Sequence, residues 1–283
     1  FFSICISFFF MPLKYAAASQ NPLLETGDHY LDTGRYDNAI TEYKRFAFFH
    51  SDSVSAGTAY EKIGRAYKKM GDFTASAEAL RTSIAYTACD SLRDERRIAV
   101  AVIMIADTQY NTAESSLLRV YHFSDYDSVR KKALFFLGIC QLYTFKWDSA
   151  EQSMKEFFSA CIETGPVDVD SLFALSDSIP RKSPRGATWL STFLPGLGQF
   201  YCGDWGNGLN ALALNALTSY LFLSALYYEQ YQNALIGFLT PFERYYSGNR
   251  YRAGKIAEAY NETHNRKAAA RILREIQKAS MNQ

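Results

Sequence analysis

A period of 37 residues, repeated through the first 160 positions, constrains this chain more than any other feature. Segments aligned at that spacing share a small residue at Gly27, Gly64, Ala101 and Gly138. A ring follows nine residues later (Tyr36, Phe73, Tyr110, Trp147) and a second small residue three further on (Ala39, Ser76, Ala113, Ala150). Four beyond that stands a bulky residue: Tyr43, Leu80, Leu117 or Met154. A fixed period of this length implies stacked two-helix units, since one unit cannot bury its apolar face alone. The small positions let helices approach closely, and the rings fill the space between pairs.

The turns inside the first two units read DTGRYDNA and KMGDFTAS. Paired small residues with a ring after the turn resemble the tetratricopeptide repeat (TPR) family, over roughly residues 20–160. The family's period is about 34 rather than 37. The turn glycine persists as Gly34 and Gly71 but becomes Thr108 and Phe145, and no proline ends the second helices. Asp52-Ser53, Asp90-Ser91 and Asp127-Ser128 precede the next first helices and are expected to be N-caps. Asp170-Ser171 repeats the signal ahead of Leu172, Phe173 and Leu175, so a capping helix is expected to close the stack.

The resemblance implies a concave groove lined by the first helix of each unit. Transferred register by register, its residues are Asp28 and Asp32, then Glu61, Arg65, Lys68 and Lys69. Ile98, Val102 and Ile105 follow, and then Phe135, Ile139 and Leu142. Such a groove runs from acidic through basic to apolar and suits an amphipathic peptide or a lipid-like chain. The apolar part has an alternative fate, burial under the chain's own linker near Val167, Val169, Phe173 and Ile179.

Charge divides the chain in two. Residues 19–180 carry 17 Lys+Arg against 23 Asp+Glu, whereas residues 181–283 carry 12 against 6. The change falls at Pro180-Arg181-Lys182-Ser183-Pro184-Arg185. Beyond it, Leu209 to Tyr228 is uncharged for 20 residues, long enough to cross a bilayer, with Trp205, Tyr227 and Tyr228 placed as interfacial aromatics. Two apolar stretches flank it, Ala187–Gly203 with Pro195 and Tyr231–Phe242. The run FLPGLGQFYCGDWGNG (193–208), followed by an apolar helix and YYSGN (245–249), is similar to small TM2-type membrane domains. Gly196, Gly198, Gly203, Gly206 and Gly208 lack the lysine-serine pair of a phosphate loop and are expected to serve tight turns and close packing. Gln199 and the intramembrane polar residues Asn210, Asn215, Glu243 and Arg244 each need a partner in lipid, the last two as an ion pair unless they lie at the interface.

The expected organisation is all-α. A signal peptide or anchor spans 1–18, ending near Ala16-Ala17-Ala18, and four TPR-like helix pairs span 19–164. A capping helix and linker follow over 165–186, a transmembrane hairpin or three-segment domain over 187–249, and a basic helical tail over 250–283. The tail holds eight Lys+Arg against three acidic residues, so the positive-inside rule places it in the cytoplasm and three crossings put the repeats outside. Its face of Ala269, Ile272, Leu273 and Ile276 is expected to lie on an anionic membrane surface.

The cysteines Cys5, Cys89, Cys140, Cys161 and Cys202 show no metal spacing, though a Cys140–Cys161 disulfide is an option outside the cytoplasm. The four histidines are scattered, and no nucleophile elbow or paired carboxylates stand out. No enzyme, cofactor, metal or nucleic-acid partner is therefore expected. The expectation is a scaffold in the bacterial inner membrane whose periplasmic repeats bind a protein or peptide of the cell envelope. The alternative is an accessory factor for membrane insertion or transport that uses the intramembrane polar residues.

Overall fold

The computed structural model describes residues 21–51, 54–160, 168–237 and 243–281. All regular structure among them is helical. They form two compact units: the repeats through Phe173 together with Ile272 onward, and Ala174–Arg271. The segment expected to be a signal, Asp52-Ser53 and Cys161 lie outside the described residues.

The first unit is a solenoid of four helix pairs: α1 (Pro22–Asp32) with α2 (Tyr36–Phe49), α3 (Val54–Met70) with α4 (Phe73–Ala85), α5 (Asp90–Ala106) with α6 (Tyr110–Phe123), and α7 (Asp127–Tyr143) with α8 (Trp147–Ala160). The repeated residues meet within each pair. A Cβ on Gly27 would fall 2.5 Å from the Tyr43 ring, one on Gly64 2.8 Å from Leu80, and one on Gly138 2.6 Å from Met154. The bulky partners are almost fully buried, as are Ala39, Ser76, Ala113 and Ala150. In these three pairs the period is thus a hole-and-knob contact, and burying each knob contributes roughly 1.5–3 kcal/mol. Ser76 adds a 2.7 Å hydrogen bond to the Gly64 carbonyl, which satisfies its hydroxyl in the core.

The turn within every pair is also periodic. Gly34, Gly71, Thr108 and Phe145 have φ of 75°, 84°, 61° and 61°. The backbone keeps the left-handed turn where the sequence has lost its glycine, because the packing on either side dictates the reversal. A side chain in that region costs roughly 1–2 kcal/mol.

The aspartates expected to cap by side chain act differently. Cys89 and Tyr126 occupy the caps of α5 and α7 with no side-chain bond, while Asp90 and Asp127 are the first helical residues. There they meet the positive helix terminus and pair with Arg93, and with Arg130 and Lys131. α9 (Val169–Asp177) closes the stack. Its cap is Asp168, whose Oδ1 accepts from Ser171 N at 3.2 Å, and Asp170 pairs with Lys155 of α8.

The second unit begins with α10 (Pro184–Phe193), started by Ser183, which accepts from Gly186 N at 3.0 Å. Leu194, extended ahead of Pro195, and the left-handed Gly196 (φ 101°) end it, and α11 (Leu197–Tyr201) follows. The stretch Ala187–Gly203 is therefore broken and does not form one membrane-crossing helix. At Gly198 a Cβ would lie 2.1 Å from the Ala187 carbonyl, so only glycine lets α11 fold back on α10. α12 (Trp205–Tyr227) is capped by Asp204, turns at Glu229 and leads to α13 (Tyr231–Gly237). α14 (Glu243–Met281) is a single helix of 39 residues, so the domain boundary expected at 250 falls inside it. Small residues let α14 approach α10 and α11, with Ala187, Cys202, Ala253 and Ala257 in one core. Asn261 fixes the start of the unit by exchanging two 2.7 Å hydrogen bonds with the Lys182 backbone.

Replacing Thr108 by Gly removes the left-handed strain and is expected to stabilise the array by about 0.5–1 kcal/mol, read as a higher unfolding temperature of the full chain in detergent; an unchanged or lower value would show the turn to be unstrained.

Candidate functional site

Two places in the fold gather polar chemistry: the inner face of the array and a cavity in the second unit. On the inner face, each first helix grips the next by an ion pair. Lys62 of α3 holds Asp28 of α1, Arg96 of α5 holds Glu61 of α3 at 3.3 Å, and Lys132 of α7 holds Glu95 of α5 at 2.9 Å. Asp28 also accepts from the Tyr43 hydroxyl at 2.6 Å. Burial, with this bond to Asp28 next, pushes the Tyr43 phenol far above its ordinary range. Arg96 is 2% exposed and also donates to the Ser83 carbonyl at 2.8 Å and to Thr87. Asp28 and Glu61, expected as groove ligands, are thus spent on joining repeats.

The other groove residues divide sharply. Asp32, Arg65 and Lys69 are exposed and Lys68 is half-buried, leaving a charged strip on the first two repeats. Burial, then the neighbouring Lys69 and Arg65, lowers the Lys68 pKa. Ile98, Val102, Ile105, Phe135, Ile139 and Leu142 are all buried. Indeed every residue from Ile98 to Ile105 and from Ala133 to Leu142 is buried, so α5 and α7 are covered on every side over these turns. These six side chains form core rather than an open apolar pocket. Within the same stretch, burial pushes the Cys140 thiol up to about 12, with the Glu114 carboxylate adding to it.

The tail face expected on a membrane surface is buried as well. Ile272 and Ile276 are 0% and 1% exposed, Ala269 and Leu273 are buried, and Ile272 onward belongs to the compact unit of the repeats. Its apolar stripe is already covered by protein and is not available to lipid.

The second unit holds a cavity of about 460 Å³. α12 contributes Asn207, Asn210, Ala211, Leu214 and Asn215, which share one face at helical spacing. α14 contributes Arg244, Tyr245, Gly248, Asn249 and Arg252, again one face, and α11 adds Gln199. The glycine-rich run and the YYSGN segment meet here: Gln199 Nε2 donates to Asn249, and Ser191 donates to Gln199 Oε1 at 3.0 Å. Asn215 Nδ2 donates to the Ala211 carbonyl at 2.8 Å. Of the four polar residues expected within the membrane, Asn210, Asn215 and Arg244 line the cavity. Glu243 is exposed, and the pair expected between it and Arg244 is not formed. Asn249 and Arg252 were not anticipated; the signal was their spacing of four and eight residues from Tyr245 and Arg244 on one uninterrupted helix.

The cavity unit buries several polar groups and exposes apolar ones along α12. Ser191, Gln199, Asn215, Thr218 and Asn249 are buried, while Leu209, Leu217, Leu221 and Leu223 are more than half exposed. α12 is the helix long and apolar enough to cross a membrane among the described residues, and only 11% of its most apolar window is buried. No His, Cys, Asp and Glu group that could hold a metal occurs among the described residues.

No protein-family model and no curated protein matches the chain. Among solved structures it is similar to MamA, at 19% identity and a TM-score of 0.41, over 49% of this chain and 75% of that one. It is also similar to PilF of Pseudomonas aeruginosa, at 16% identity and a TM-score of 0.43, over 82% and 94%. Neither likeness is close enough to transfer a role.

Glu61→Ala leaves the Arg96 guanidinium buried without its carboxylate and is expected to cost about 3–5 kcal/mol, seen as a lower midpoint in denaturant, with a smaller loss in Arg96→Met. A second expectation concerns alkaline pH. Tyr43 and Cys140 have folded pKa values above their unfolded ones, so the stability they contribute is complete below the unfolded values of about 10 and 8.5. It falls as pH rises toward the folded values, and the thermal midpoint is expected to drop between about pH 9 and 12, less so in Cys140→Ala than in the parent.

Proposed function

We propose that the chain is a membrane-anchored scaffold whose repeats bind a protein or peptide partner in the cell envelope. The observation carrying this reading is the pairing, in one chain, of a repeat array bearing an exposed charged strip with a second unit whose long helix exposes a run of leucines. Exposed leucines along α12 would be costly in water and favourable in hydrocarbon. At 23 residues the helix is about 35 Å long, enough for a hydrocarbon core of about 30 Å. Trp205 at one end and Tyr227 and Tyr228 at the other supply interfacial anchors.

Because the apolar residues of the third and fourth repeats are buried, the surface offered to a partner is the strip of Asp32, Arg65, Lys68 and Lys69. A peptide with acidic groups spaced along a helix or extended segment suits it. The TM2-like resemblance of the second unit and a periplasmic placement of the repeats belong to the same reading.

A second reading, an accessory to membrane insertion or transport, is favoured by the convergence of Asn210, Asn215 and Arg244 on one cavity. Polar side chains gathered beside a long apolar helix are the arrangement such a path requires.

The test uses the full chain expressed in bacterial membranes. Leu217→Arg with Leu221→Arg is expected to abolish alkali-resistant membrane association, each arginine costing about 2.5–3.5 kcal/mol at mid-bilayer. Arg65→Glu with Lys69→Glu is expected to leave the chain in the membrane but to lose at least tenfold in captured partner. Equal capture by both forms would remove the strip from the reading, and retained soluble protein would remove the anchor.

A further inference from the structure

The cavity between α12 and α14 carries unsatisfied chemistry that the scaffold role does not use. Asn215 and Asn249 are 4% and 5% exposed, yet Asn215 Oδ1 and Asn249 Nδ2 have no hydrogen-bond partner among the described residues. Both belong to side chains lining the cavity. A buried amide atom without a partner is destabilising, and two on side chains that line one cavity mark a place where a ligand restores what folding removed. One is an acceptor and the other a donor. At the same cavity stand Arg244 and Arg252, both exposed and in no ion pair among the described residues. The lining contains no Asp or Glu, and the neighbouring Asp204 carboxylate is taken up by the Asn207 backbone, at 3.1 Å, and side chain, at 2.7 Å.

We infer that this cavity binds a phosphate ester bearing a free hydroxyl, the chemistry shared by a phosphoglycerol lipid headgroup and free glycerol phosphate. The two guanidiniums supply fork-shaped donors for phosphate oxygens. The free Asn249 Nδ2 donates to a further oxygen, and Asn215 Oδ1 accepts from the hydroxyl. A bare inorganic anion would leave that acceptor unmatched. A choline headgroup would set a cation beside two arginines and offer no hydroxyl. About 460 Å³ admits a headgroup of this size. The apolar sides of Ala211 and Leu214 on the same wall give acyl chains a path toward the exposed leucines of α12. The lipid source rests on the membrane reading of α12, whereas the phosphate-and-hydroxyl chemistry does not.

The experiment is native mass spectrometry of the full-length chain in non-ionic detergent, titrated separately with phosphatidylglycerol, phosphatidylcholine and free glycerol phosphate. Phosphatidylglycerol is expected to be retained at least tenfold better than phosphatidylcholine. Arg244→Gln with Arg252→Gln, both at exposed positions and with the fold checked by circular dichroism, is expected to remove that preference. Asn215→Leu is expected to narrow it by weakening hydroxyl recognition. Displacement of the lipid by millimolar glycerol phosphate supports the site and identifies its natural occupant as soluble. Equal retention of the two lipids, or a preference that survives the double arginine variant, overturns the proposal. Partner capture by the repeats is measured on the same variants and is expected to be unchanged, so failure here is separable from failure of the scaffold reading.

Discussion

The close approach of two helices at a glycine or alanine, with one large side chain filling the gap, is the contact on which the repeat unit depends. Gly27 with Tyr43, Gly64 with Leu80 and Gly138 with Met154 place the knob where a Cβ would otherwise stand. Because the contact recurs every 37 residues, each pair presents the same surface to the next, and stacking follows from nearest-neighbour burial. Chain reversal follows too. With the helices held this close, the connecting turn must be left-handed, and it stays so at Thr108 and Phe145 despite the strain.

Ion pairs add direction to this packing. Lys62–Asp28, Arg96–Glu61 and Lys132–Glu95 each join a first helix to its predecessor at roughly one repeat's separation. A charged inner face would otherwise look like a binding surface along its whole length, yet part of it is structural. The exposed Arg65 and Lys69 beside Asp32, with the half-buried Lys68, define a narrower surface.

In the second unit, hydrogen-bonded amides and hydroxyls are buried beside a small alanine core, and leucines of α12 are exposed. Glycine and alanine at the helix contacts bring backbones near enough for Gln199 to reach Asn249, 50 positions along the chain. That approach creates a cavity lined by two amides short of partners and by two arginines.

Much of this architecture was legible without coordinates, and the reason is physical. Periodicity and hydrophobic run length are local properties, and the pairing of Gly27 with Tyr43 needs only a 16-residue separation inside one hairpin. The apolar length of α12 is equally local. The caps misled because Asp90 and Asp127 carry the right chemistry one position inside the helix, where they meet the dipole and nearby cations instead. The fate of the apolar groove residues stayed open because the family register states which way Ile98 or Phe135 points but not what lies over it. Covering by a distant segment is a long-range event that leaves no mark on the covered residues themselves. The same holds for the tail, whose amphipathic stripe suits lipid or protein equally. Sequence alone thus determined the repeat, its register and one lipid-length helix, since each is written in neighbouring residues. Only the tertiary structure decided which faces stay open, which charges are spent between repeats, and that Asn215, Asn249, Arg244 and Arg252 share one cavity, because these depend on groups that meet only once the chain has folded.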